Sequence, residues 1–290
     1  MDDETKPADL YPASGSDVPV RLDDAALEAG PAAPAAGPPS RREPALWSVR
    51  DLVLFVAFAV VWLFVSQLLS FTAYAALRPI MGWRTPPQAL DDNAYFAVAT
   101  QAIFYGPLLL YIVLLVVVYY RQPFWAGIRW RNPGFRQFTR LFFGGILLAF
   151  GVLFGFSFLP DHNTFPLERL FSSPGAAYAL GAFAVLIAPF MEELIFRAVF
   201  FSFFEYRVGL GFAVVGTAVL FAAMHVPEYW PAWSHVVMIL LVGLVFSLAR
   251  GITGSLAPSV ILHTAYNAAL MSGLFFGTHH FHNLQALSII

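Results

Sequence analysis

The chain has no cysteine among its 290 residues. That excludes disulfides and thiolate metal sites. It is also poor in charge, with 12% Asp, Glu, Lys and Arg, against about 25% in an ordinary soluble domain. The few arginines flank apolar runs instead of gathering on one face, which excludes a nucleic-acid footprint. The N-terminus opens "MDDETKPADL". It lacks the basic start and early apolar run of a secretory signal peptide.

What the chain has instead is apolar surface. Hydrophobic residues make up 59% and aromatic residues 17%, with 30 Phe. A water-soluble domain of this size could not cover that much apolar surface. Residues 1–46 stand apart. They are rich in Ala, Pro, Asp and Gly, show no apolar periodicity and hold nine of the eighteen acids. Such a segment cannot bury a core, and it is expected to be a disordered tail.

Long uncharged runs follow, at Leu52–Leu77, Asn93–Tyr120, Leu141–Pro160, Leu170–Met191, Val208–Pro227 and Tyr229–Ala249. The last stretch, Gly251–Ile290, holds no Asp, Glu, Lys or Arg. Each run is close to the length of about 20 residues that a spanning helix needs. The fourth is expected to continue as helix to about Tyr206. The fold class is therefore all-α, a polytopic transmembrane helical bundle of about seven spans. Helices are required because lipid does not tolerate unpaired backbone outside a helix or a closed barrel, and the runs lack the alternation of barrel strands. The organisation reads as a tail over 1–46, N-terminal spans over 47–160 and a second helical region over 161–290.

Arginine placement sets the expected orientation. Arg41, Arg42 and Arg50 precede the first span. Arg121, Arg129, Arg131, Arg136 and Arg140 occupy the loop after the second, which has no acid. That side, with the N-terminus and with Arg207 and Arg250, is assigned to the cytoplasm of a cell inner or plasma membrane. Asp91, Asp92, Asp161, Glu168 and Glu228 then lie outside. An odd number of spans leaves the C-terminus outside, unless "FGTHHFHNLQALSII" forms a re-entrant or interfacial piece. Trp230 and Trp233 read as an aromatic belt at the outer boundary.

Several polar residues interrupt these runs. "APFMEELIFRAVF" puts Glu192 and Glu193 directly after an uncharged run, with Arg197 one turn on. Ionisable groups within a membrane are costly unless paired or hydrated, and they usually line a functional cavity. Glu193 and Arg197 are four apart and share a helix face. Glu192 points about 100° away and stays free. "VLFAAMHVPEYW" places His225 at the end of a span, one turn after Phe221. "APSVILHTAYNAAL" places His263 and Asn267 four apart, so both face one partner. Each intrusion has a bland counterpart: a helix end solvated at the interface for the acids, a helix-to-helix hydrogen bond for His263 and Asn267. Their convergence within the last third of the chain favours an active site. A count of rise per residue brings Glu192 and His225 level, but leaves His263 up to two turns shallower. His235 is expected at the interface, and His279, His280 and His282 in a solvated tail. Glu205 is expected at the cytoplasmic interface with Arg207.

The three motifs Glu-Glu-x-x-x-Arg (Glu192, Glu193, Arg197), Phe-x-x-x-His (Phe221, His225) and His-x-x-x-Asn (His263, Asn267) resemble the CPBP family of intramembrane proteases. That family includes CAAX prenyl endopeptidases of the Rce1 type and bacterial abortive-infection (Abi) and bacteriocin-immunity proteins. The resemblance covers about residues 175–275, and no motif residue departs from the pattern. It implies a peptide-bond hydrolase with a polar chamber between helices. The substrates would be peptides or proteins in or at the lipid bilayer, among them prenylated CAAX-type proteins. Glu192 would be the general base, aided by His225. His263 and Asn267 would bind the oxyanion or hold the water, and Glu193 and Arg197 would orient the others.

The chemistry leaves two versions open. In the glutamate-dependent one, Glu192 activates water directly and Asn267 faces the oxyanion. In the metalloprotease version, Glu192, His225 and His263 are ligands to zinc with a fourth position for water, and Glu193 becomes the base. Two other classes compete with a protease. A proton-coupled transporter would use buried acids as a relay, but it would show inverted repeats, and none is visible between 52–160 and 175–275. A non-catalytic scaffold or immunity protein would keep these residues for packing.

Overall fold

A computed structural model describes residues 46–158 and 166–284. The expected tail lies, apart from Leu46, outside the described residues. Seven helices are long and apolar enough to cross a membrane. They are α1 (Val49–Met81), α2 (Ala94–Tyr119), α3 (Phe135–Phe156), α4 (Pro174–Arg207), α5 (Leu210–Tyr229), α6 (Trp233–Thr253) and α7 (Leu256–Gly277). No strand occurs among the described residues. The third span begins at Phe135 rather than Leu141, so Arg136 and Arg140 lie in its first turns and not in a loop. The last span ends at Gly277. A turn follows in which His279, His280 and Phe281 all take positive φ. The three histidines there are exposed, as expected, but Phe281 is buried against Tyr178 and Phe275, which ties the segment down.

Local chemistry explains the helix ends. Ser48 caps α1 by accepting from the Asp51 backbone N–H, and the Asp51 carboxylate accepts from the Ser48 N–H in return. This reciprocal pairing satisfies two donors that an open helix end leaves orphaned. Gly82 ends α1 with φ 65° and Gly254 ends α6 with φ 62°, a left-handed conformation that a Cβ disfavours.

Two spans are irregular: α2 ends in a π-helix over Leu114–Tyr119, and α4 is both broken and widened. Its helix stops at Leu186, restarts at Ala188, and becomes a π-helix over Leu194–Phe200. Pro189 has no N–H to give the carbonyl four residues back, which accounts for the break. Single π segments inside helices mark functional sites more often than chance. Here the segment starts directly after Glu193.

Packing brings the later helices around α4. α5 lies against α6, and α7 packs on α3 through Gly145. A Cβ there would stand 2.5 Å from the Leu262 carbonyl oxygen and 2.8 Å from the Ala265 Cβ. Small residues permit such approach where lipid offers no hydrophobic drive. At one end of the bundle, Arg50 and Asp51 at the start of α1 bond to Tyr119 and Tyr120 at the end of α2. At that same end Arg131 bonds to the Gly254 carbonyl at 3.0 Å, and Arg129 pairs with Glu205 at 3.4 Å. These contacts put the loop after α2, the end of α4 and the α6–α7 turn at one end, as the arginine pattern requires. Arg250 is not a solvated flank. It is fully buried, bonded to Ser202 and lying over the Phe201 ring.

Candidate active site

α4, α5 and α7 bring the three motifs together, with α2 and α6 closing the sides. Glu193 is fully buried. Its Oε1 accepts from the Arg197 guanidinium at 2.9 Å and from His263 Nδ1 at 3.0 Å. The i, i+4 pairing expected of Glu193 and Arg197 is therefore present. Arg197 is also fully buried. Its second terminal nitrogen donates to the Gly243 carbonyl of α6 at 3.0 Å, and its plane lies 4.5 Å from the Phe221 centroid. The phenylalanine of the second motif is thus a seat for the arginine of the first.

His263 is held on every side. Phe246 stacks on it at 4.5 Å and Phe221 meets it edge-on at 5.9 Å. With Nδ1–H donated to Glu193, Nε2 faces the opposite side. There it stands 3.7 Å from Glu192 Oε2. Glu192 Oε1 accepts from the Tyr105 hydroxyl of α2 at 3.3 Å. The Glu192 side chain keeps 17% of its surface accessible, while Glu193 keeps none. The two neighbouring acids thus take the two environments that their 100° separation implied.

His225 sits near the end of α5. Its Nδ1–H donates to the Phe221 carbonyl at 2.7 Å, which leaves Nε2 for the chamber. Asn267 behaves differently from the expectation of one shared partner with His263. Its side-chain amide donates to the Ala184 carbonyl at 2.8 Å, in the last turn before the α4 break. The expected depth mismatch of His263 does not occur. That reckoning assumed straight antiparallel helices, whereas α4 is broken at Ile187 and widened by its π segment.

Two residues of the chamber escaped the sequence reading. Tyr105 lies in an uncharged run directly before Gly106 and Pro107, and Gln101 precedes it by one turn and lies beside its hydroxyl. Two polar side chains four apart in a span is the same signal that marked His263 and Asn267. Glu228 is expected on the outer side, at the charged junction between two uncharged runs. The helix instead runs on to Tyr229, and Glu228 is within electrostatic reach of His225, Glu192 and Tyr105. His235, expected at the interface, packs between Phe156 and Tyr229 and is half-buried.

The zinc version requires Glu192, His225 and His263 to converge on one point. Among the described residues, no group of three or more His, Asp or Glu is placed to hold a metal ion. His263 donates Nδ1–H to Glu193 and His225 donates Nδ1–H to a carbonyl, so each ring has its Nε2 left for a further partner.

The comparison with known families agrees with the motifs. The family of type II CAAX prenyl endopeptidases, Rce1-like, matches residues 174–269. This segment is an Rce1-like domain. It contains all seven motif residues, from Glu192 to Asn267, and the Phe246 and Gly243 that seat His263 and Arg197. Tyr105 lies outside it, so the span that closes the chamber over Glu192 comes from the unmatched part of the chain. Searches of curated proteins and of solved structures return no match. The seven apolar helices mark the chain as an integral membrane protein, and the segment 174–269 relates it to a protease family.

Proposed function

We propose that the chain hydrolyses peptide bonds of membrane-associated proteins or peptides, prenylated CAAX-type tails among them, by a glutamate-activated water. The observation that carries this is the gap of 3.7 Å between Glu192 Oε2 and His263 Nε2. It is too long for a good direct hydrogen bond and both atoms are acceptors when His263 is neutral. A water donating one hydrogen to each satisfies both. Its lone pair is then turned away from both partners, toward an incoming carbonyl carbon.

In this reading Glu192 takes the water's proton as the oxygen bonds to the carbonyl carbon. The negative charge passes to the carbonyl oxygen, where the second N–H of Asn267 stabilises it. His225, through Nε2, moves the proton to the departing nitrogen, and the C–N bond breaks. Glu193 and Arg197 orient His263 and cancel each other's charge, so the base is Glu192 alone. Tyr105 fixes the other oxygen of Glu192. No step passes through zinc.

The test is cleavage of a membrane-peptide library, prenylated CAAX peptides included, by the purified full-length protein and its Glu192→Ala variant. Cleavage that resists chelator and vanishes in the variant is the expected result. Cleavage that survives Glu192→Ala removes the assigned base. Loss with chelator that zinc restores replaces this mechanism by a metal one.

A further inference from the structure

One face of α3 stays open along the whole span. Arg136, Arg140, Phe143, Leu147, Phe150 and Phe154 follow one another at steps of four and three residues, which places them on one helical face. All six are exposed, the four apolar ones at 61–72%. The opposite face is the one that packs. There Gly145 sits against Leu262 of α7, and Val152 joins Leu262, Val242 and Phe246 in a buried cluster.

The open face is divided by depth. Its two arginines stand in the first turns of the span, at the arginine-flanked end of the bundle. The apolar part from Phe143 to Phe154 rises by about 16 Å. One leaflet is about 15 Å deep, half of a hydrocarbon core of about 30 Å. The arginines have nothing within the protein to neutralise them. α3 carries no acid, α7 carries no charged residue, and α6 carries only Arg250. The two acids at that end among the described residues, Asp51 and Glu205, are taken by Tyr120 and Arg129. Neither Arg136 nor Arg140 makes an ion pair or a side-chain hydrogen bond with any described residue.

Two cations at headgroup level, above an apolar strip one leaflet deep, match a phospholipid with an anionic headgroup. A second copy of the chain fits worse. Copies inserted in the same orientation and packed through this face would set Arg136 and Arg140 against the same two residues of the partner, and like charges so placed repel. We infer that this face of α3 is a binding site for anionic phospholipid. Arg136 and Arg140 hold the headgroup, and the strip from Phe143 to Phe154 lies along the acyl chains. The inference is independent of the peptidase reading, because none of the six residues belongs to the motif site.

The test uses the full-length protein in nanodiscs of equal phosphatidylglycerol and phosphatidylcholine, with Leu147→benzoylphenylalanine as a photo-crosslinker. Captured lipid is identified by mass spectrometry. Irradiation should capture phosphatidylglycerol over phosphatidylcholine by about tenfold, the attraction expected of two arginines at an anionic headgroup. Arg136→Gln with Arg140→Gln should bring the ratio close to one, and Arg136→Glu with Arg140→Glu should invert it. Both pairs should keep the unfolding midpoint of the parent in detergent, since the side chains they change are exposed and unbonded. Three results overturn the inference. They are equal capture of the two lipids by the parent, a phosphatidylglycerol preference that survives both pairs of substitutions, and capture at Leu147 of a second copy or of the chain's own residues 1–45 in place of lipid.

Discussion

The chamber has two layers that differ in almost every respect, although they are built from adjacent residues. The inner layer, Glu193, Arg197, His263 and the rings of Phe221 and Phe246, is sealed, and the charged pair in it is fully buried. The outer layer, Glu192, His225 and Glu228, is partly or fully exposed, and Glu192 is loosely bonded, at 3.3 Å to the buried Tyr105 hydroxyl and 3.7 Å to His263. The contrast teaches how a membrane protein keeps a reactive carboxylate. The sealed layer spends its charges on each other, and that rigid pair holds an imidazole against the one acid left free.

Substitutions can break this division at either layer. The largest effect is expected from Arg197→Met. It strands Glu193 as a buried charge without a cation, a loss of about 3–5 kcal/mol, read as a large fall in the unfolding midpoint in detergent. Gly145→Ala comes next, because its Cβ meets the Leu262 carbonyl beside His263. Forced contacts of this kind cost about 1–3 kcal/mol. Gly151→Ala on the same helix, where nothing lies within 4 Å, should be neutral or slightly stabilising. Tyr105→Phe removes one donor from Glu192, a change of about 1 kcal/mol. It should lower cleavage about fivefold and leave the midpoint nearly unchanged.

The smallest effect lies outside both layers, at the clamp between α1 and α2. Burial, and next the Asp51 carboxylate, push the Tyr120 phenol up to about 12. A folded-state value raised above the ordinary one of about 10 gives stability that is complete below that ordinary value. It is lost as pH rises through about 12. Tyr120→Phe should flatten this alkaline loss in a pH series of midpoints.

Much of this was legible in the sequence, and the reasons differ by residue. The seven spans follow from uncharged length alone, since lipid leaves the backbone no alternative to a helix. The Glu193–Arg197 pair follows from helical spacing. The separate environment of Glu192 follows from the same spacing. Distances between helices do not follow from it. The α4 break and π segment shift depth in a way that no residue count anticipates, and this is why His263 looked too shallow. Asn267 was expected beside His263, because a shared face does not reveal that a carbonyl at a helix break is nearer. Tyr105 and Glu228 were missed for opposite reasons. The first is an apolar-looking residue whose hydroxyl does the work. The second is a charged residue that marks the boundary between two uncharged runs, although the helix continues past it to Tyr229.

The division between the layers is tested most directly by a pair of conservative variants measured twice, for unfolding midpoint and for peptide cleavage. Glu192→Gln should keep the midpoint of the parent and lose cleavage by at least about 10²-fold. Glu193→Gln should lose several kcal/mol of stability by leaving Arg197 buried without its counter-charge. If Glu192→Gln proves as destabilising as Glu193→Gln, or cleaves as the parent does, the separation of a reactive acid from a structural one is contradicted.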